Sequence, residues 1–488
     1  MTFSTPFFAA FGPLLFGRRH RSRLEQVLRA GQAASSLSQY QAAFGEFIPS
    51  RRLAVVAGGL KSRERIYTPL VTFWAFLAQV LERDTPCRHA VRRIIAWWHC
   101  QKAGQPAPSE ATTSYCNARK RLGDPVLQQI GDDLSARLEH NVPQEHLWRT
   151  RHVKIIDGTT VSMPDTAPNQ AQWPQPESQQ PGCGFPLLKL VGLFSLASGA
   201  LLQIAHSSLR LHELVLARQL WSFLVKGDVL LADRGFCAYQ DLSALLARGV
   251  DAVMRLHQAR RTDFRRGTRL GPNDRLVVWT KPAKRPAKCT DEEYAAMPQT
   301  LTVRQVRYQV QAAGFRTQTV VLVTTLLDAS AYPVSALAEL YFQRWTVELH
   351  FREIKTLLGL DVLRCRTPEM IRKELAMQRI AYNLVRALMQ RAALTHHVPL
   401  PRLSFKGTLD SLQHAADTIQ ACAGKPRRQA GLVQELLATI AQDLLPERPE
   451  RSEPRAKKRR PKNYHLLTKP RNEMKVPSHR NRPKSSLS

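Results

Sequence analysis

From about Arg23 to Leu147, apolar residues recur three and four positions apart with charged residues between them, which predicts helices. The runs Leu70–Leu77 and Val91–Trp98 carry this spacing most clearly. Pro106, Pro108 and Ser109 predict a loop. Ser114–Leu122 reads as a basic helix that either follows a phosphate backbone or presents an ordinary solvated face. At Val153 the texture changes. Val153–Asp157 reads as a short strand closing on an acid, and Leu187–Ser195 and Ala200–His206 as two more strands, joined at Ser198-Gly199. His212–Phe223 predicts a helix, Asp228–Asp233 a buried strand closing on a second acid, Tyr239–Ala247 a helix and Ala252–Leu256 a strand. This order implies a mixed α/β core. Leu301–Val310 alternates as strands do, and the β-branched run Thr317–Thr325 is expected to rejoin the core sheet. Ser335–Leu360 and Met370–Ala393 predict long helices.

Charge adds a partner to this outline. Lys and Arg outnumber Asp and Glu by 71 to 39, a net +32. So basic a surface excludes a housekeeping metabolic enzyme as the default and points to a polyanion, nucleic acid before an anionic membrane. Two blocks hold most of the excess. Residues 255–288 carry eleven Lys/Arg against Asp263 and Asp274, and residues 448–488 carry fourteen against three Glu, with six prolines. The second block reads as a disordered basic tail. A hydrophobic fraction of 43% excludes wholesale disorder elsewhere.

The eight cysteines contain no CxxC pair, which predicts reduced thiols in a cytoplasmic protein and no disulfide framework. His89 and His99 near Cys87 and Cys100 fit no common zinc spacing. Phe3–Phe16 is shorter than the roughly 20 apolar residues that cross a bilayer, so no membrane partner is expected. The expected organisation is a poorly ordered segment 1–22, a helical domain 23–150, a catalytic domain 151–400 interrupted by a β-rich basic insertion 257–316, a helical segment 401–447 and the tail 448–488.

Asp157, Asp233 and Glu348 carry the candidate chemistry. Two aspartates closing parallel neighbouring strands stand within several ångströms of each other, and a glutamate on a later helix can join them. Converging carboxylates repel unless a cation relieves them. Magnesium does so, with hard oxygen ligands and waters left for a phosphate, and two ions roughly 3.5–4 Å apart can serve a phosphodiester; manganese is the expected substitute. Asp165, Glu213 and Asp228 are the nearby rival acids, and Asp228 opens its strand instead of closing it. On a regular helix Tyr341, Arg344, Glu348 and Lys355 fall within an arc of roughly 60°. That face sets a carboxylate between two cations and a phenol. An Arg344–Glu348 pair alone would also suit an ordinary helix surface.

The spacing of Tyr341, Arg344, Glu348 and Lys355 resembles the YREK signature of bacterial insertion-sequence transposases of the DDE class. Ile156-Asp157-Gly158-Thr159-Thr160 resembles that family's first-aspartate motif, and Leu231-Ala232-Asp233-Arg234-Gly235-Phe236 its second. The similarity covers about residues 60–400. It implies an α/β, RNase H-like catalytic core with a mostly β insertion; the α-helical N-terminal domain is expected to bind the transposon ends, and the basic C-terminal tail follows from composition alone. It also implies magnesium-dependent cleavage of double-stranded DNA at transposon ends and strand transfer into target DNA, by a homodimer in the synaptic complex. In relatives a DNA hairpin forms and a flipped base stacks on tryptophans. Trp345 sits where one such tryptophan occurs; Thr317–Thr325 lacks the second, and Trp279 is the candidate substitute. The competing readings are an RNase H-fold nuclease without strand transfer and a domesticated, non-catalytic DNA-binding protein.

Overall fold

The computed structural model describes residues 39–44, 47–48, 66–101, 106, 108–260, 262–286, 289–310, 318–422, 425–447 and 467–474. The expected segment 1–22 and most of the basic tail lie outside them. The helices are α1 (Gln39–Phe44), α2 (Pro69–Leu81), α3 (Cys87–Gln101), α4 (Thr113–Arg121), α5 (Asp124–His140), α6 (Ala167–Gln172), α7 (Glu213–Gln219), α8 (Tyr239–Ala247), α9 (Asp291–Ala296), α10 (Val334–Phe342), α11 (Thr346–Arg352), α12 (Pro368–His396), α13 (Phe405–Ala421) and α14 (Pro426–Gln442). The strands are β1 (Val153–Ser162), β2 (Leu187–Ser195), β3 (Leu201–Ser208), β4 (Val229–Ala232), β5 (Asp251–Arg255), β6 (Thr268–Gly271), β7 (Asp274–Thr280), β8 (Thr300–Val310) and β9 (Gln318–Thr324).

All nine strands form one mixed sheet in the order β3-β2-β1-β4-β5-β9-β8-β7-β6. β1, β4 and β5 run parallel, and the other neighbours pair antiparallel. The basic insertion therefore continues the same sheet through β9. Arg304 on β8 is fully buried and makes a two-pronged ion pair with Asp274 on β7, Nε–Oδ1 2.8 Å and Nη2–Oδ2 2.5 Å. Trp279 is 6% exposed, with the Arg260 guanidinium 3.8 Å from its ring centroid. It is a packed residue of the insertion, and the expectation that it offers a free stacking face is corrected.

The period of two along each strand divides the interior. Val153 and Ile155, Val229 and Leu231, and Val253 face a core shared with α10, α11 and α12. Ile156, Leu230, Ala232, Ala252 and Met254 face a second core with α7 and α8. Both faces of the central strands are covered, which explains their unbroken apolar runs. At α2, Thr68 accepts from Val71 N and Pro69 opens the helix, while ten of its thirteen residues are buried. α5 buries Leu127, Ile130, Leu134 and Leu138 at helical spacing, and its Asp132 holds Arg379 of α12 at 2.8 Å.

Three expectations change. β1 does not end at Asp157 but runs on to Ser162, because it keeps β2 as a partner after β4 stops. The single helix expected over Ser335–Leu360 is α10, a 3-10 turn at Gln343–Trp345, α11 and a π turn at Glu353–Leu357. Within the tail, residues 467–474 are described; they form a 3-10 turn at Arg471–Glu473, and Pro470 packs beside Gly182. No helix among the described residues is long and apolar enough to cross a membrane.

Candidate active site

The last parallel pair between β1 and β4 is Ile155–Leu231. Two residues further along each chain stand Asp157 and Asp233, on the same sheet face as that pair. β4 has ended there and β1 continues alone, so the two carboxylates flank a notch at the carboxyl ends of the parallel strands, where α/β sheets leave a crevice. The facing core is the one that receives α10 and α11, whose Leu337, Leu340, Val347 and Phe351 are buried in it. Packing that side inward leaves Glu348 exposed next to the notch.

Charge coupling shows how near the three acids are. Burial raises the Asp157 carboxyl above its ordinary value and Asp233 raises it further, while the Gly158 amide and Arg344 oppose both. Burial also raises Glu348; Asp157 and Asp233 add to the effect and Arg344 counters it. Arg344 is 7% exposed and reaches Asp157, Nη1–Oδ2 3.7 Å. Its guanidinium lies 5.9 Å from the Tyr341 ring centroid and 5.1 Å from that of Trp345. Tyr341 is buried, and its hydroxyl is pushed up to about 12, by desolvation first. Trp345 is 55% exposed, beside Phe342 at 68% and Leu349 at 48%. Lys355 leaves the π turn to donate to Thr159 Oγ1 at 3.0 Å and to the Thr160 carbonyl at 3.1 Å, just past Asp157 on β1.

Arg344 and Lys355 thus reach β1 directly and Tyr341 and Trp345 lie beside the Arg344 guanidinium, but not by way of a regular helix. The 3-10 turn and the π turn change the angle per residue on either side of Glu348. The chain after the π turn is then tied to β1: Ser162 N donates to Asp361 O at 3.1 Å and Leu363 N to Ser162 O at 2.8 Å.

Among the described residues, no three His, Cys, Asp or Glu side chains are gathered tightly enough to hold a metal ion. The aspartates are each bonded to the next backbone amide. Asp157 Oδ1 accepts from Gly158 N at 2.8 Å and Asp233 Oδ1 from Arg234 N at 2.7 Å, so each is turned back on its own backbone. In kind, the set fits a hard divalent cation: oxygen donors only, with burial and mutual repulsion raising two of them.

The family model described as "Transposase DDE domain" matches residues 148–384. The transposase InsG for insertion sequence element IS4 of Escherichia coli (strain K12) is 26% identical over 451 residues, covering 90% of this chain and 98% of that one. Residues 148–384 thus resemble a transposase DDE domain, and the function these matches support is that of a DNA transposase. The transposase for insertion sequence element IS421 of Escherichia coli is 28% identical over 190 residues, 33% of this chain and 51% of that protein. A cryo-EM structure of the piggyBac transposase synaptic complex with hairpin DNA aligns with 86% of this chain and 87% of its own chain, at a TM-score of 0.40 and 12% identity. The DDE domain brings dependence on a divalent metal and DNA as the partner.

One residue near the site was weighed in the sequence only as a rival acid. Glu213, first residue of α7, approaches β1 from the opposite sheet face. A Cβ added at Gly158 would meet its Oε1 at 1.8 Å. Burial raises the Glu213 carboxyl, with Asp157 and Asp233 adding and Lys189 opposing. The signal in sequence is Gly158 itself: a glycine inside a strand marks a close approach.

Proposed function

We propose that Asp157, Asp233 and Glu348 are the catalytic carboxylates of this transposase and its metal ligands, in an RNase H-like core. They would hold two magnesium ions, with manganese as a substitute, and cleave double-stranded DNA at transposon ends before strand transfer into target DNA. The observation that carries this reading is the β1–β4 register, which sets Asp157 and Asp233 side by side facing the helix of Glu348. Bound divalent ions supply charge neutralisation at the phosphodiester and activation of the attacking oxygen. The chain's own residues do the remaining work. Arg344 holds Asp157 toward its ionised form and offers its remaining donors to a phosphate oxygen. Lys355, fixed on β1, places a second cation along the DNA backbone. Tyr341 supports the Arg344 guanidinium, and the exposed Trp345 ring supplies a stacking surface for a base. The helices of residues 23–150 recognise transposon ends, and two copies pair in the synaptic complex.

The test is cleavage of a supercoiled plasmid carrying transposon ends, with and without magnesium. D157N, D233N and E348Q are each expected to lose more than the ~10–100-fold that removal of an outer-shell group costs, with end binding retained. Near-wild-type cleavage by any one variant removes that residue from the set. Cleavage without joined products would instead establish a nuclease that lacks strand transfer.

A further inference from the structure

Away from the active site, α2, α3 and α4 meet the chain around Cys365 and Glu374. A cleft of about 290 Å³ opens there, lined by Gln79, Arg83, Cys87, Arg119, Cys365 and Glu374. Arg119 was read in the sequence as part of a basic helix face. Instead it turns inward and is 7% exposed. Its Nη2 lies 3.4 Å from Cys87 Sγ and 3.9 Å from Cys116 Sγ, and its Nη1 lies 3.4 Å from Gln79 Oε1. Phe76 and Tyr115 cover its faces, with centroids at 4.9 and 5.1 Å. No ion pair to a carboxylate is made by Arg119 among the described residues. Glu374 engages the amides of Arg364 and Cys365 at 2.9–3.0 Å. A buried cation is stabilised by nearby electron-rich groups, and those that the Arg119 nitrogens contact are the Cys87 and Cys116 sulfurs and the Gln79 oxygen.

We propose that Cys87 and Cys116 form a peroxide-oxidisable dithiol, with Cys87 as the attacking sulfur and Cys116 as the resolving one. One guanidinium nitrogen bridges both sulfurs, and Gln79 Nε2 adds a contact to Cys87 Sγ at 3.7 Å. Cys87 lines the cleft, so a small oxidant reaches it. The hydrogen bond from Cys116 lowers the Cys87 thiol; burial opposes this, and Arg119 and Gln79 reinforce it. The same hydrogen bond, and burial after it, shifts the Cys116 thiol upward. Burial likewise keeps Tyr67, Tyr115, Cys365 and Glu374, which surround the pair, toward their neutral forms. Cys87, which lines the cleft and stands closer to Arg119 Nη2 than Cys116 does, is the sulfur placed to attack.

The Cys87 thiolate attacks one oxygen of hydrogen peroxide. The O–O bond breaks, the second oxygen leaves as hydroxide and takes a proton to become water, and Cys87 becomes a sulfenic acid. The Cys116 sulfur then attacks the Cys87 sulfur, an S–S bond forms, and the sulfenic oxygen departs as water with the Cys116 proton. Two thiols supply two electrons to one peroxide. The product joins the start of α3 to α4, and a dithiol reductant reverses it.

Full-length protein is treated with hydrogen peroxide and then alkylated, and its peptides are read by mass spectrometry, with the partly exposed Cys183 as internal reference. The expected product is a Cys87–Cys116 linked peptide short of two hydrogens and restored by dithiothreitol. With C116S, a Cys87 sulfenic acid trapped by dimedone is expected; with C87S, neither product. Before oxidation, iodoacetamide at pH 6 should modify Cys87 on the order of tenfold or more faster than Cys183. R119Q should reduce that advantage and R119K should keep it. Equal rates at Cys87 and Cys183 in the unmodified protein, or oxidation without the 87–116 link, overturns the proposal even if R119Q does not fold.

Discussion

Arg344 is where charge and geometry at the site meet. It is nearly buried, stands 3.7 Å from Asp157, and opposes the rise of both Asp157 and Glu348. Arg344→Ala should therefore slow cleavage and also move the acid limb of its pH–rate profile upward, because both carboxyls would ionise at higher pH without the guanidinium. The rate loss should stay within about 10–100-fold, the range of an outer-shell group and below that of the acid variants. Lys355→Ala should fall in the same range without the pH displacement, and Tyr341→Phe should cost less than either. Cleavage rates between pH 5 and 9 check all three, and an unmoved acid limb for Arg344→Ala would sever it from Asp157. The clustering of these residues was legible because strand periodicity and chain order need no side-chain coordinates. Glu213 was not legible as a neighbour, since its approach across Gly158 depends on how α7 docks.

At the scale of elements, the π turn Glu353–Leu357 is backed by a buried polar network. Glu353 Oε2 meets Arg386 Nη2 at 2.9 Å and His350 Nδ1 at 3.4 Å, and Arg386 Nη2 also reaches His350 Nδ1 at 2.6 Å. Phe194 stacks on the His350 ring, 5.4 Å between centroids, and Tyr382 meets it edge-on. This network fixes the helix of Glu348 against α12. Apolar spacing predicts a helix over 335–360 but cannot reveal where buried polar partners pull its turns out of register, so the breaks were illegible. Burial, with the Arg386 charge second, lowers His350 from 6.5 to about 4. A histidine held neutral in the fold titrates first in the unfolded chain, so the unfolded state binds more protons between about 6.5 and 4. Stability should be complete above that window and fall as pH drops through it. His206, also lowered, acts in the same sense, and Glu353, itself lowered, adds a loss at the acid end. Thermal midpoints from pH 7.5 to 4.5 should therefore decline less steeply for His350→Gln than for the wild type. Parallel curves would mean that His350 is not titrating there.

For the whole molecule, the excess charge is unevenly placed relative to the notch between β1 and β4. The insertion adds three strands to the far edge of the sheet and holds part of its own charge in internal pairs, including Arg304–Asp274, Arg285–Asp291 and Arg265–Asp263. Residues 448–488 hold fourteen Lys/Arg against three Glu, and six prolines interrupt any apolar face. Deleting 448–488 should accordingly reduce non-specific DNA affinity and its salt dependence while leaving cleavage in low salt. Pro470 beside Gly182 is a peripheral contact that the two cores do not rest on. Each neutralised phosphate contributes about −0.9 to the slope of log affinity against log salt, so engagement of roughly five tail cations corresponds to a fall in slope magnitude of about 4–5. Binding of a duplex without transposon ends, measured from 50 to 200 mM salt for the full and shortened chains, gives that difference directly. Unchanged slopes would show that the tail does not engage DNA, and the electrostatic attraction would then rest on the insertion and the helical domain.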